Sequence, residues 1–262
     1  MPDIKINGAT PSAYYFGSTA ATAVYYGSTK LWEAGSPTPS LPANTIRCKF
    51  ASGYTPTMGT SQTLVDADEN IWDIYKSSNN WDVLFKNNAN LQSIIGANTT
   101  GVTSMLRLFY GCSNLTSVSL FDTSSVTDMT SMFHNCTYLT SVPLFDTSSA
   151  TSMSNMFFNC LRLPSVPLFD TSSARNLENM FYNCRVLTSV PLFDTSSATY
   201  MGAMFYNCYR VESGALALYT QASSQTTPPA SYSNCFFDCG RDTTSGAAEL
   251  AQIPSDWGGT GT

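Results

Sequence analysis

Apolar and polar residues recur with a period of 24 through the middle of the chain. The repeated unit reads approximately MFhNCtyLtSVPLFDTSSaTsM, and its cysteines mark the period at Cys112, Cys136, Cys160, Cys184 and Cys208. A fixed period of about 20 to 50 residues is typical of stacked repeats, in which each unit covers the apolar flank of the next. The pattern therefore predicts a solenoid, with a central repeat region over residues 81–212.

Each unit predicts a strand, a turn and a short helix. Leu115, Val118 and Leu120 have the L-x-x-L-x-L spacing of a leucine-rich-repeat strand, whose apolar residues point inward. The following Asp-Thr-Ser-Ser predicts a turn, because short polar side chains bond their own backbone. Helical spacing then relates the apolar residues of the next segment, Met129, Met132, Phe133 and Cys136. The fold class expected is an α/β, leucine-rich-repeat-like solenoid of strand–turn–short-helix units.

The repeat register continues in degenerate form at both ends. Phe85, Asn88, Leu91 and Ile94 lie 24 residues before Phe109, Cys112, Leu115 and Val118, which predicts a first copy over residues 81–104. Downstream, the sequence YSNC at 232–235 echoes FYNC at 205–208 with a spacing of 27. We expect a distorted last copy with an insertion, inside a C-terminal cap and tail over residues 213–262, because terminal repeats must cover an open core.

Three further segments precede the repeats. Residues 1–34 predict a small β module of three short strands with Gly-Ser-Thr turns, and residues 35–44 form a Pro/Ser linker. Residues 45–80 predict an N-terminal cap, with a strand from Thr45 to Phe50 and a helix from Asp66 to Tyr75. Trp72 and Trp81 are expected to close the apolar end of the stack.

Two sets of equivalent residues are interpreted as structural. Side chains at equivalent positions point the same way, which is poor disulfide geometry, so the five repeat cysteines are expected to be buried free thiols. Cys235 and Cys239 lie outside this set, and their pairing is left open. The second set is expected to form turns and to cap the following helix, with calcium binding or a ligand-facing acidic stripe as alternatives: Asp122, Asp146, Asp170 and Asp194.

Other repeat positions are candidates for binding. The phenylalanines Phe121, Phe145, Phe169 and Phe193 either pack in the core or form an exposed aromatic stripe. Two positions vary between copies and carry many Tyr and Arg side chains, which are enriched at recognition hot spots. The alternative for these residues is a plain solvated face. The candidate binding face comprises His134, Phe158, Tyr182, Tyr206, Tyr138, Arg162 and Arg210.

Composition and motifs argue against several functions. The net charge of −6, with only 11% charged residues, does not suit a nucleic-acid partner. No apolar run of about 18 residues predicts membrane insertion. His134 is the only histidine, and no zinc, nucleotide-binding or hydrolase motif is present. We therefore expect a non-enzymatic protein without catalytic residues, metal or cofactor.

The repeated LFDTSS and MF-x-N-C segments resemble the BspA-like leucine-rich repeat family of surface proteins, over about residues 81–212. The resemblance implies recognition of a host surface protein or glycan, and it implies no catalytic residue.

The N-terminal sequence, including YYGSTKLW at 25–32, is similar to short β modules at the N-termini of bacteriophage virion proteins. That resemblance implies attachment to other virion proteins through residues 1–34. Because the first residues have no basic segment followed by an apolar one, we expect a virion protein rather than a Sec-exported one. A bacterial cell-surface adhesin, or a purely structural protein that makes homo-oligomer contacts, is the alternative.

Overall fold

The computed structural model describes residues 23–26, 29–33 and 41–261. Strands β1 (Ala23–Tyr26) and β2 (Thr29–Glu33) pair antiparallel, with Tyr26 opposite Thr29. The YYGSTKLW segment at 25–32, expected to supply one of the three short strands of residues 1–34, contributes to two strands, with the Gly-Ser pair between them in the sequence. The other two strands predicted for residues 1–34, and most of the predicted linker, lie outside the described residues.

A five-stranded sheet covers the N-terminal end of the stack. Its strands are β3 (Thr45–Phe50), β4 (Ser61–Asp66), β5 (Ile71–Tyr75), β6 (Leu91–Asn98) and β7 (Ser117–Val118), in the order β4-β5-β3-β6-β7. The β6–β7 pair is parallel and the others are antiparallel. Strand β6 thus belongs both to the cap sheet and to the first repeat, which joins the two without a break.

The helix predicted from Asp66 to Tyr75 is wrong. One carboxylate oxygen of Asp66 accepts the backbone N–H groups of Asp68 and Glu69, at 2.9 and 3.0 Å, and closes a turn. Asn70 has a left-handed φ of 52°, which a helix does not allow. The β-branched and aromatic residues that follow form β5, which pairs with β3 on one side and β4 on the other.

Parallel backbone pairing joins the same point of each successive unit. The pairs are Asn80–Ser104, Ser104–Asp128, Asp128–Ser152, Ser152–Asn176 and Asn176–Tyr200. A spacing of 24 residues along the chain is therefore one step along the stack. The solenoid predicted from the period is present, and one buried apolar core runs through it from the cap sheet to the C-terminal helices.

The short helix predicted in each unit is wrong, although its apolar side chains are buried. The segment from Met129 to Cys136 is a chain of turns, and Ser131 and Asn135 have left-handed φ values of 57° and 59°. Every second backbone N–H of this segment donates to a carbonyl of the next unit, at 2.8–3.0 Å. The pairs are Met129 to Ser152, Ser131 to Ser154, Phe133 to Met156 and Asn135 to Phe158. Inter-unit bonds thus replace the i→i−4 bonds of a helix.

The strand predicted in each unit has the wrong inward–outward alternation at its end. Leu115 and Val118 are buried as expected, but Leu120 is 63% exposed. In later copies a proline follows the valine and cannot donate to a ladder, and the N–H of Phe145 reaches back to Pro143 O at 3.0 Å. The alternation is shifted by one residue in all four copies, including the first, where Ser119 stands in place of the proline, so the leucine points outward and the phenylalanine inward. The exposed leucines are Leu120, Leu144, Leu168 and Leu192.

The last repeat has a spacing of 31, not 27. The N–H of Phe205 donates to Cys235 O at 2.7 Å, and the Phe205 ring stacks on Phe236 at 5.9 Å. Cys239 therefore takes the place of Cys208, since CFFDC matches MFYNC. The insertion is helix α1 (Ala215–Ser223), and helix α2 (Thr244–Leu250) packs beside it.

The C-terminal end of the core is closed by a 3₁₀ turn, Ser255–Trp257. The Trp257 ring stacks on Tyr232 at 4.3 Å and meets Tyr219 edge-on. At the opposite end Trp81 is fully buried and Trp72 packs partly buried against the core. Within the described part of the chain, no helix has the length and apolarity needed to cross a membrane.

Candidate functional site

The five repeat cysteines lie in one buried column. Each thiol donates to the carbonyl of a phenylalanine 27 residues earlier, as Cys136 does to Phe109 O at 3.1 Å. Burial raises the pKa of Cys112 and of Cys184 to about 12, so these thiols stay protonated. Cys235 and Cys239 are also buried and free. The cysteines therefore fill the core and are not placed for chemistry.

The repeated aspartates form turns on the surface. One carboxylate oxygen of Asp170 accepts the backbone N–H of Ser172 at 2.9 Å and its hydroxyl at 2.6 Å. These bonds, the hydroxyl first, lower the pKa of Asp170, and the equivalent bonds lower that of Asp122. Asp146 and Asp194 make the same backbone contact. No helix follows in the repeats described, so the aspartates cap none.

The second phenylalanine of each unit lies in the core rather than on the surface. Phe121, Phe145, Phe169 and Phe193 are at most 5% exposed. The Phe157 ring stacks on Phe169 at 6.0 Å, and Phe181 on Phe193 at the same distance. The exposed aromatic stripe considered for these residues is therefore absent, and the one-residue phase shift at the neighbouring leucines explains why.

A different set of rings forms a continuous half-exposed stack. Successive ring centroids are 4.4–4.7 Å apart and the ring planes lie within 15° of parallel. Four of the predicted binding-face residues belong to it. We call this stack the aromatic column: Tyr110, His134, Phe158, Tyr182, Tyr206 and Phe237. Because the rings cover each other's faces, their edges and the tyrosine hydroxyls are what a partner would meet.

His134 lies within this stack, between Tyr110 and Phe158. Burial, and secondarily the charge of Arg107, lowers its pKa, so the imidazole is neutral at pH 7. Its Nδ1 has no hydrogen-bond partner among the described residues, so no carboxylate orients it for catalysis.

In three successive units an arginine lies one or two residues after the cysteine. The Arg162 guanidinium lies 4.0 Å from the centroid of the Tyr138 ring, and Arg185 lies 5.7 Å from that of Tyr209. Tyr209 is close enough to the aromatic column to contribute to the raised pKa of Tyr182, after burial and Tyr206. Within the described chain, no salt bridge involves the set that we call the arginine row: Arg162, Arg185 and Arg210.

A family model described as "Mycoplasma protein of unknown function, DUF285" matches residues 79–186 and 103–219. The two matches together span 79–219, just over half of the 262 residues. The chain belongs to the DUF285 family. This is the BspA-like repeat family that the LFDTSS units resemble.

Two solved structures are similar to this DUF285 chain. A leucine-rich repeat protein of T. pallidum is 17% identical with a TM-score of 0.37, over 57% of this chain and 79% of that one. A leucine-rich repeat protein of Eubacterium ventriosum is 18% identical with a TM-score of 0.38, over 64% of this chain and 44% of that one. No curated protein sequence matches the chain.

Two inter-unit links of the DUF285 repeats were not predicted. The buried hydroxyls of Thr123, Thr147 and Thr171 donate to the carbonyls of Asp146, Asp170 and Asp194 in the next unit, at 2.7–2.8 Å. The side-chain amides of Asn135, Asn159, Asn183 and Asn207 bond one another in a ladder at 2.8–2.9 Å. The signal was recurrence: the threonine is present in every LFDTSS segment, and an asparagine precedes four of the five repeat cysteines. The threonine was interpreted only as a turn residue, and the asparagine was not interpreted.

The aspartates do not converge on a cation. Across the described residues, no group of three or more His, Cys, Asp or Glu side chains could hold a metal ion. Each DUF285 unit offers one carboxylate, whereas calcium requires several oxygens at one point. Within the described chain, the aspartates therefore do not bring together the oxygen ligands that the calcium alternative requires.

Proposed function

We propose that this chain is a non-enzymatic binding protein that presents the aromatic column and the arginine row to a partner. One observation carries the proposal. Residues that differ between copies, such as Phe158 and Tyr182, form one continuous stack on the surface, whereas the residues common to all copies are mostly buried or form turns. Sequence variation on a fixed scaffold is what a recognition surface requires.

The chemistry of this surface indicates the kind of ligand. Ring edges carry partial positive charge, and tyrosine hydroxyls and guanidinium groups donate hydrogen bonds. The arginine row spans three consecutive units, about 10 Å at the spacing of neighbouring strands. The surface therefore suits an extended host-surface polymer, protein or glycan, that is rich in hydrogen-bond acceptors.

Binding to arrays of bacterial surface glycans and surface proteins tests the proposal. The variant R162A/R185A/R210A is expected to lose at least tenfold in affinity for any ligand of the wild type, because two or three charge-assisted bonds disappear. The matched control is S141A/S165A, which changes exposed serines on the strand segment. Equal loss in both variants, or no loss in the arginine variant, contradicts the proposal.

We further propose that the protein works on a bacteriophage particle, held there through residues 1–34. The supporting feature is the resemblance of the YYGSTKLW segment to virion modules, together with the paired strands β1 and β2. Deleting residues 1–34 is expected to abolish incorporation into particles, measured by quantitative mass spectrometry of purified virions. A truncated protein that is still incorporated refutes this attachment role, and detection only on a bacterial envelope favours the adhesin alternative.

A further inference from the structure

The exposed leucines have no structural role that the fold reveals. Leu120, Leu144, Leu168 and Leu192 are 63, 60, 62 and 55% exposed. The leucine is identical in four successive copies, as are the buried phenylalanine, the inter-unit threonine and the turn-forming aspartate beside it. Each of those neighbours packs in the core, links units or closes a turn. We call the four leucines the leucine column.

A row of carboxylates runs beside the leucine column. In each unit the aspartate is two residues after the leucine and is also exposed. In Asp146 and Asp170, one oxygen bonds the following serine, and the turn leaves the other oxygen available. Over residues 41–261, none of the four aspartates is in a salt bridge. The leucine column and these aspartates together form what we call the Leu–Asp face.

The spacing of the face matches that of a helix. Units that pair as neighbouring strands are about 4.8 Å apart, so four leucines extend over about 14 Å. The apolar stripe of a helix presents a side chain about every 5.3 Å, since 3.5 residues rise about 1.5 Å each. Alternate side chains of an extended strand are about 6.7 Å apart. Over four contacts the side chains of a helix fall out of step with the leucines by about 1.4 Å, whereas those of a strand fall out of step by about 6 Å.

We propose that the Leu–Asp face docks an amphipathic helix of a partner protein, with an aliphatic stripe flanked by Lys or Arg. The leucines supply the apolar contact, and the unpaired carboxylates select the cationic flank. The exposed leucine area is on the order of 300 to 400 Å². A helix laid in register can cover that area, whereas a stable dimer buries about 800 Å² per partner. The same carboxylates repel an anionic lipid surface.

This inference does not depend on the proposed function. The Leu–Asp face uses residues that are identical between copies, and the aromatic column uses residues that vary. The first belongs to the segment after Val118 of a unit, and the second to the segment before its cysteine. Variants of one face therefore leave the other intact, so a failure of this inference can be distinguished from a failure of the proposed function.

Fluorescence anisotropy with a synthetic helical peptide tests the inference. The peptide carries leucines at a and d positions and lysines at e and g positions, and a scrambled peptide of the same composition is the control. With the full chain, binding is expected only for the patterned peptide. The variant L120S/L144S/L168S/L192S is expected to bind at least tenfold more weakly. Because these leucines are exposed, an unchanged thermal midpoint is expected to show that the variant still folds.

A second variant separates charge from shape. In D122N/D146N/D170N/D194N each asparagine can still accept the serine N–H, so the turns are kept. Binding is expected to weaken severalfold at low salt, and its salt dependence is expected to flatten. Equal binding of both peptides, no binding of the patterned peptide, or no effect of the leucine variant overturns the inference. So does a wild-type dimer that the leucine variant dissociates, or binding to vesicles of phosphatidylglycerol.

Discussion

Substituting Asn159 by glycine and by alanine separates two reasons for the asparagine that precedes four of the five repeat cysteines. Asn159 has a left-handed φ of 57°, and its amide bonds Asn135 on one side and Asn183 on the other, at 2.9 Å each. Both substitutions remove the two amide bonds. Only alanine adds the cost of placing a Cβ in the left-handed region.

The magnitudes follow from these contacts. Each neutral hydrogen bond contributes about 0.5 to 1.5 kcal/mol net, and the half-exposed position favours the lower end because water can replace the partner. Asn159→Gly is therefore expected to lower the free energy of unfolding by about 1 to 2 kcal/mol. Asn159→Ala carries a further cost of about 1 to 2 kcal/mol for its left-handed backbone, so it is expected to be the less stable variant.

Urea unfolding followed by tryptophan fluorescence and circular dichroism measures the difference, provided that both variants keep the wild-type m-value. The matched control is Ser165, an exposed residue that is not among the positive-φ positions. There glycine is expected to be less stable than alanine by a few tenths to about 1 kcal/mol. If alanine is at least as stable as glycine at Asn159, the left-handed backbone does not explain the asparagine.

Three further results are expected. The thiols of Cys112 and Cys184 should resist alkylation at pH 8 until denaturant is added, since their pKa is about 12; rapid labelling of the native protein would contradict their burial. Thr147→Val should lower the unfolding free energy by about 1 to 2 kcal/mol, because the carbonyl of Asp170 loses its buried donor, whereas Thr147→Ser should lower it less. The folded pKa of Asp170 is depressed, so its stabilising effect is present above the unfolded pKa and is lost as pH falls through the folded one. NMR titration should show that this depression shrinks in Ser172→Ala, and an unchanged pKa would contradict the assigned cause.

The period of the sequence by itself determined the architecture. Buried residues such as Phe133, Cys136 and Leu139 must recur at equal spacing if each unit is to cover the next, so the stack and its single core could be predicted. The same reasoning placed the variable residues on one surface, because a column is the only arrangement that a regular stack allows.

Local conformation was decided by tertiary contacts. The segment from Met129 to Cys136 has helical apolar spacing, yet its N–H groups are satisfied by the next unit, which no single unit contains. Leu144 points outward and Phe145 inward, and Leu120 and Phe121 do the same although Ser119 replaces the proline, so the proline does not set this orientation. The spacing of 27 proposed for the last copy failed because residue identity was compared without the backbone pairing that fixes the register.

The stack of units, its buried columns and the presence of a cap at each end could thus be predicted from the sequence. Only the tertiary structure decided which side chains at the edge of each strand face water, because a shift of one residue exchanges the two faces. That shift buried Phe145 and exposed Leu144. It is the reason that the leucine column lies beside the exposed aspartates in the Leu–Asp face.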